Sequence, residues 1–272
     1  MKRLFRESVS VDAEGCAPVV DLEERISGLK LCVIVPVFNN AGTLAAVIND
    51  VLRHTSHLIV VDDGSTDDTG RILKTCYSSS LYTITCKTNK GKGYALKCGF
   101  DRAEKLGYRY AISMDADGQH RASDIVAFVD IIEKTPDVFI AGRRITEGEM
   151  PAGNSFANRL SNFWVNVLTW NRLYDTQNGF RLYPLCKMEG MRSVFNRYEA
   201  EVELLVRCAW KGIKILPAAT HVYYPPKEER VTHYRPVTDF LRITGVNALF
   251  VLLAVVYGYP SLLYHRCIKK RP

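Results

Sequence analysis

Four short apolar runs in the first half of the chain each end in a polar turn that leads into a helix-spaced segment. This repetition limits the fold more than any other feature. The runs are "LKLCVIVPVF" (29–38), "HLIVV" (57–61), "LYTITCK" (81–87) and "YRYAISMDAD" (108–117). Short β-branched runs of this kind read as buried strands. Pro36 lacks the N–H that a ladder needs, so the first strand should end near it. Leu44, Val47, Ile48, Val51 and Leu52 repeat at helical spacing after the first run. Ser65, Thr66 or Asp67 can cap a second helix, and glycines open a third in "GKGYALKCGFDRAEKLG". Strand–turn–helix repeats of this length predict right-handed βαβ units, hence an α/β fold on a mainly parallel sheet with flanking helices. Ligands of such sheets collect at the carboxyl ends of the strands. Here those ends are the polar or glycine-rich segments 36–40, 62–64, 89–93 and 115–119.

The chain has 272 residues, 47% of them hydrophobic and 24% charged, enough for one large domain with an appendage. The expected boundaries are a lead-in over 1–29, a catalytic domain over 30–238 and a C-terminal segment over 239–272. A net charge of +7 calls for an anionic partner: nucleotide, nucleic acid or an acidic membrane surface. Nucleic acid is set aside, because no basic helix or aromatic-interleaved basic stripe is present. The eight cysteines are scattered without a Cys-x-x-Cys pair, which suits reduced thiols better than disulfides or zinc. No apolar run follows the basic start Met1–Arg6, so a cleaved signal peptide is not expected.

Asp115 and Asp117 in "MDADGQH" lie one residue apart at a strand end and so point to the same side. Two carboxylates held together are costly unless a cation neutralises them. Oxygen ligands this few suit Mg²⁺ or Mn²⁺ rather than Ca²⁺. His120 could serve Mn²⁺ and would be equally at home on the surface. "NKGKGYA" offers backbone N–H groups at a helix start, with Lys90 and Lys92 beside them, as an anion cradle. Asp62 and Asp63, taken alone, read as turn or cap residues.

Taken together, "VIVPVFNN", "IVVDDGSTDDT", "NKGKGYALKCGF", "MDADGQH" and "DTQNGFR" (175–181) resemble family 2 of the glycosyltransferases. Within it the resemblance is to the dolichyl- and polyprenyl-phosphate sugar synthases, and it runs from about Leu31 to Ile243. It implies a GT-A nucleotide-sugar-binding fold. It implies that Pro36, Asn39, Asp62 and Asp63 contact the nucleoside, and that Lys92 and Asp115 serve the donor diphosphate. Asp115, Asp117 and Gln119 would surround a Mg²⁺ or Mn²⁺ ion. Asn40 departs from the acidic residue usual after the asparagine. Arg143 matches the arginine of the family's Gly-Ser-Arg segment, and Arg159 resembles a second phosphate-binding arginine; both are expected to hold the acceptor phosphate. Arg144 reads as an ordinary exposed arginine. Asp175, a candidate catalytic residue with Asp115 and Asp117, and Arg181 would shape the floor of the acceptor side. Glu201 and Glu203 read first as surface carboxylates of a helix over 198–212. Arg230, His233 and Arg235 could clamp a phosphate.

The reaction so implied is inverting transfer of a hexose from a GDP-mannose- or UDP-glucose-type donor to a polyprenyl phosphate. A metal and fixed cations would stabilise the leaving diphosphate. A phosphate acceptor is already anionic near neutral pH and needs no base, whereas a hydroxyl acceptor does. A family 2 enzyme acting on a glycolipid or glycan hydroxyl is the alternative reading, and a non-catalytic nucleotide-sugar-binding protein is a second.

"ITGVNALFVLLAVVYGYPSLLY" (243–264) is uncharged and about as long as a membrane span needs. The basic "HRCIKKRP" behind it would lie on the wrong side of a single span, and Gly258 and Pro260 interrupt the run. The expectation is an interfacial or re-entrant hairpin on the cytoplasmic face, its basic tail on anionic headgroups. A spanning helix is the runner-up, and the oligomeric state stays open.

Overall fold

The structure, a computed structural model, describes residues 19–76, 81–146, 152–223 and 236–268. Seven strands form one sheet: β1 (Leu31–Val37), β2 (Leu58–Asp62), β3 (Leu81–Thr85), β4 (Tyr110–Ser113), β5 (Phe139–Thr146), β6 (Arg181–Tyr183) and β7 (Ile215–Val222). Their order is β3-β2-β1-β4-β6-β5-β7. All neighbours run parallel except β6, which is antiparallel to both β4 and β5. The helices are α1 (Val19–Leu29), α2 (Ala41–Leu52), α3 (Thr69–Thr75), α4 (Lys92–Lys105), α5 (Ile125–Lys134), α6 (Ala152–Thr169), α7 (Glu199–Trp210), α8 (Pro236–Leu253) and α9 (Tyr259–Leu263).

β1, β2 and β4 are buried along their whole length, as strands of a sheet covered on both faces must be. One face packs residues of α4, α6, α7 and the C-terminal helix against Ile34, Val61 and Tyr183; the other packs α1, α2 and α5 against Val35, Val60 and Leu182. Pro36 sits inside β1, opposite Val61 of β2. The β4 ladder stops at Ile34–Ser113, two residues earlier. The missing N–H of Pro36 therefore falls where β4 no longer runs alongside.

Both ends of the described residues are helical, and the second departs from the expectation. The lead-in is a packed element over its described part: Leu22 and Ile26 of α1 are core residues, and Arg25 pairs with Glu133 and Asp130 of α5. The C-terminal segment is not a hairpin. α8, a π-helical turn at Ala254–Gly258, α9 and a further π-helical turn at Tyr264–Ile268 run on as one continuous helix. The wide turn precedes Pro260 and takes up the hydrogen bond that proline cannot make. Gly258 faces the ring of Trp210, where an added Cβ would collide with the indole.

This helix lies along the catalytic body. Val246, Phe250, Ala254, Gly258 and Leu262 form its buried stripe, at the four-residue spacing of one helix face. Phe250 meets Trp210 edge-on, Ser261 Oγ donates to Trp210 O at 2.6 Å, and Arg266 Nη2 donates to Trp170 O at 2.7 Å. The opposite stripe, Leu249, Leu252, Val256 and Leu263, is exposed. By length and composition Thr244–Cys267 could cross a membrane.

Candidate active site

The carboxyl ends of β1, β2 and β4 are knitted together by side chains that the sequence offers as ligand contacts. Asn39, in a left-handed conformation at φ 47°, accepts from Thr66 N at 2.7 Å through Oδ1, while its own N–H donates to Ser65 Oγ at 2.9 Å. Asp62 Oδ1 accepts from Ser65 N at 2.9 Å. Asp63 accepts from Lys90 N at 3.1 Å and Gly91 N at 2.5 Å, fixing the turn that opens α4. Asp62 and Asp63 are each 2% exposed and Pro36 is buried, so these three build the walls of the cleft. Asn39, Asp62 and Asp63 thus also hold the strand-end loops in place. Asn40 is also structural: its N–H donates to Thr69 Oγ1 at 3.1 Å, and its Oδ1 accepts from Thr43 Oγ1. Thr43 Oγ1 also lies 2.6 Å from Ala116 O, tying α2 to the "DAD" turn.

At the end of β4 the structure brings Lys92, Asp115, His120 and Glu201 together. Lys92 Nζ is 2.5 Å from Asp115 Oδ1 and 3.1 Å from Glu201 Oε2. Burial works against the Lys92 charge, but Asp115 and Glu201 outweigh it and raise its pKa. Burial likewise opposes ionisation of Asp115, and Lys92 overcomes it, so its pKa falls. Among the described residues Asp117 makes no ion pair, and Lys92 offsets its burial only in part. Burial and the neighbouring Asp115 push it up to about 6, against the backbone N–H of Gln119 donating to its Oδ1 at 3.0 Å. His120 is buried beside Phe180, its Nε2 3.9 Å from Asp115 Oδ2, and burial lowers its pKa to about 4, leaving a neutral ring near pH 7. It is an interior residue, not a surface one. Gln119 is half-buried, and its carbonyl accepts from Tyr223 N at 2.9 Å.

The segment "TQNGFR" (176–181) forms the floor of this cluster. Gly179 lies so close beneath Asp115 and Lys92 that an added Cβ would collide with Asp115 Oδ2 and Lys92 Nζ, and its carbonyl accepts from Ser113 Oγ at 2.6 Å. Arg181 is 1% exposed and donates to the carbonyls of Thr176, Asn178 and Glu201 at 2.6–2.7 Å. It thus bolts the floor to α7.

Three further expectations change. Arg144 is a half-buried partner: its guanidinium meets both carboxylate oxygens of Asp175, at 2.6 and 2.7 Å. Asp175 also accepts from Arg144 N, so this carboxylate clamps Arg144 by backbone and side chain. Glu201 and Glu203 are 6% and 2% exposed. Glu203 accepts from Ser193 Oγ, Val194 N and Phe195 N and pairs with Arg207, which makes it the anchor of a loop. Glu201 belongs to the Lys92 cluster, and its only sequence signal was a place two residues into the α7 run. Arg143 is exposed over the ring of Tyr174, 4.9 Å from its centroid, and Arg159 is exposed on α6. Both stand outside the Lys92 cluster. Arg230, His233 and Arg235 lie outside the described residues.

A divalent cation fits the donor set. Among the described residues no group of three His, Cys, Asp or Glu side chains forms a metal cage. Mg²⁺ is typically held by one or two carboxylates together with substrate phosphates, which is what Asp115 and Asp117 offer.

The family profile described as "Glycosyl transferase family 2" matches residues 32–202. The chain belongs to glycosyl transferase family 2. Relatives of this family 2 chain include the dolichyl-phosphate beta-glucosyltransferase of Dictyostelium discoideum, 28% identical over 80% of this chain and 75% of that one. A UDP-N-acetylglucosamine--dolichyl-phosphate N-acetylglucosaminyltransferase of Methanococcus voltae is 28% identical over 64% of this chain and 77% of that one. Among solved structures, glucosyl-3-phosphoglycerate synthase from Mycobacterium tuberculosis, in complex with Mn²⁺, UDP and glucosyl-3-phosphoglycerate, superposes with a TM-score of 0.67. That superposition covers 90% of this chain and 86% of the other at 16% identity, a likeness of fold. The expected GT-A architecture is thus the one observed, and the chain is a glycosyltransferase that uses a nucleotide sugar.

Proposed function

We propose that this family 2 enzyme transfers a hexose, with inversion, from a UDP- or GDP-hexose to a polyprenyl phosphate. The observation that carries the reading is the strand-end group of Asp115, Asp117 and Lys92. Asp115 and Asp117 would hold Mg²⁺ or Mn²⁺, which when bound supplies positive charge to the departing diphosphate. Lys92 adds a fixed ammonium beside the same charge. Asp62, Asp63 and Asn39 hold the loops that frame the donor cleft.

The acceptor reading rests on two supports. The relatives named above include a dolichyl-phosphate glucosyltransferase. The candidate catalytic carboxylate Asp175 is taken up by Arg144 on both oxygens, and an acceptor phosphate, unlike a hydroxyl, does not need a base. Arg143 and Arg159, both exposed, suit the acceptor phosphate.

The apolar outer stripe of the C-terminal helix joins exposed Phe163 and Val167 of α6, and Trp170 just past it, through the stacked rings of Trp170 and Tyr259. A surface of this kind fits a bilayer interface, on the cytoplasmic face where the nucleotide sugar is. A helix touching the body along most of its length favours lying in the interface over crossing it.

The test is incubation of the full chain with labelled UDP-glucose or GDP-mannose, dolichyl phosphate and Mn²⁺. An acid-labile lipid-phosphate sugar is the expected product. Label appearing instead on a glycan or glycolipid hydroxyl, with none on dolichyl phosphate, would overturn the acceptor assignment.

A further inference from the structure

Lys92 occupies the carboxylate that a divalent cation needs. Its ammonium touches Asp115 Oδ1 and Glu201 Oε2, and all three side chains are largely withdrawn from solvent, 14%, 28% and 8% exposed. Glu201 has one further property. Its Oε1 is buried and has no hydrogen-bond partner. A buried carboxylate oxygen left unpaired is costly, so its persistence calls for a reason. An ammonium has three donors, and Lys92 spends one on each carboxylate. The acceptor it lacks on leaving Asp115 is the one that Glu201 keeps open.

The surroundings hold Glu201 within reach. Gly93 and Ala200, the neighbours of Lys92 and Glu201 in the chain, meet so closely that a Cβ at Gly93 would collide with Ala200 Cβ. Arg181 Nη1 donates to Glu201 O at 2.7 Å, and Gly179 closes the space beneath Lys92. We propose that Glu201 is a positioning residue that receives Lys92 when a divalent cation takes Asp115. The ammonium then rests on both Glu201 oxygens, still beside the donor diphosphate, and Asp115 faces the cation without a competing positive charge. This rests on the metal reading proposed above.

The test uses the full chain freed of metal with EDTA, titrated with Mn²⁺ alone and followed by the paramagnetic resonance signal of free Mn²⁺. Glu201→Gln should bind Mn²⁺ roughly 10-fold more weakly, the scale of a lost outer-shell partner. Lys92→Met should bind it more tightly, because the competitor is gone. In the Lys92→Met background, Glu201→Gln should have lost most of its effect. Additive effects of the two substitutions, with normal binding by the unaltered chain, would overturn the hand-over and leave the metal reading standing. Absence of Mn²⁺ binding by the unaltered chain would overturn the metal reading, and this inference with it. Should Glu201→Gln fail to fold, Lys92→Met alone decides: unchanged or weaker Mn²⁺ binding overturns the hand-over.

Discussion

At Asp117 burial and the charge of Asp115 act in the same direction, and the carboxyl holds its proton up to about pH 6. The folded value is raised above the ordinary 3.8, so protonation favours the folded state. In the absence of metal, this group's contribution to stability should be present below about pH 4 and lost as the pH climbs through about 6. Urea unfolding in EDTA across that interval, compared with Asp117→Asn, should show the substitution removing the slope; identical slopes would contradict the burial of this carboxyl. Divalent cations need the carboxylate, so their affinity should rise over the same interval. Asp115→Asn or Asp117→Asn should lower kcat/KM by on the order of 10²-fold or more, and Asp115→Asn should also lower the thermal midpoint, because it leaves the Lys92 ammonium on Glu201 alone. Full turnover by either variant, or by the unaltered chain in excess EDTA, would remove the cation from the reaction.

Arg144 joins the end of β5 to the segment before β6 by gripping Asp175, and a largely buried pair of this kind is vulnerable when one partner goes. Asp175→Asn or Arg144→Ala should cost about 3 kcal/mol of stability, read from denaturant unfolding. A catalytic role for Asp175 predicts the opposite pattern, lost turnover at full stability. This pair was invisible in the sequence because its members lie on different elements and neither run announces the other. β1, β2 and β4 were legible, since strands covered on both faces are written as unbroken β-branched runs. β6 was not: three residues, one of them a buried arginine, carry no periodicity. The same limit hid Glu201 and Glu203. A carboxylate on a helix normally faces water, and only the packing of α4 on α7 and the loop at 193–195 shows that these two do not. Gly258 and Pro260 suggested a break, yet the ring of Trp210 against Gly258 and a wide turn before Pro260 keep the helix whole.

On the scale of the molecule, the C-terminal helix has a buried stripe on the body and an exposed apolar stripe away from it. Leu252→Glu with Val256→Glu, 69% and 80% exposed in the unaltered chain, should abolish co-sedimentation with anionic vesicles while leaving nucleotide-sugar binding intact. Unchanged sedimentation would remove this face from the membrane reading. Truncation before Ile243 is a harsher experiment, because it strips the cover from Trp210, only 3% exposed in the whole chain. The same contact bears on how the protein comes into being. Among the described residues every strand precedes this helix in chain order, so during synthesis the sheet can close while the indole of Trp210 and its neighbours are still bare. For that interval the nascent domain carries an uncovered greasy flank, a hazard for partly folded chains, and its maturation waits on residues that leave the ribosome after all seven strands.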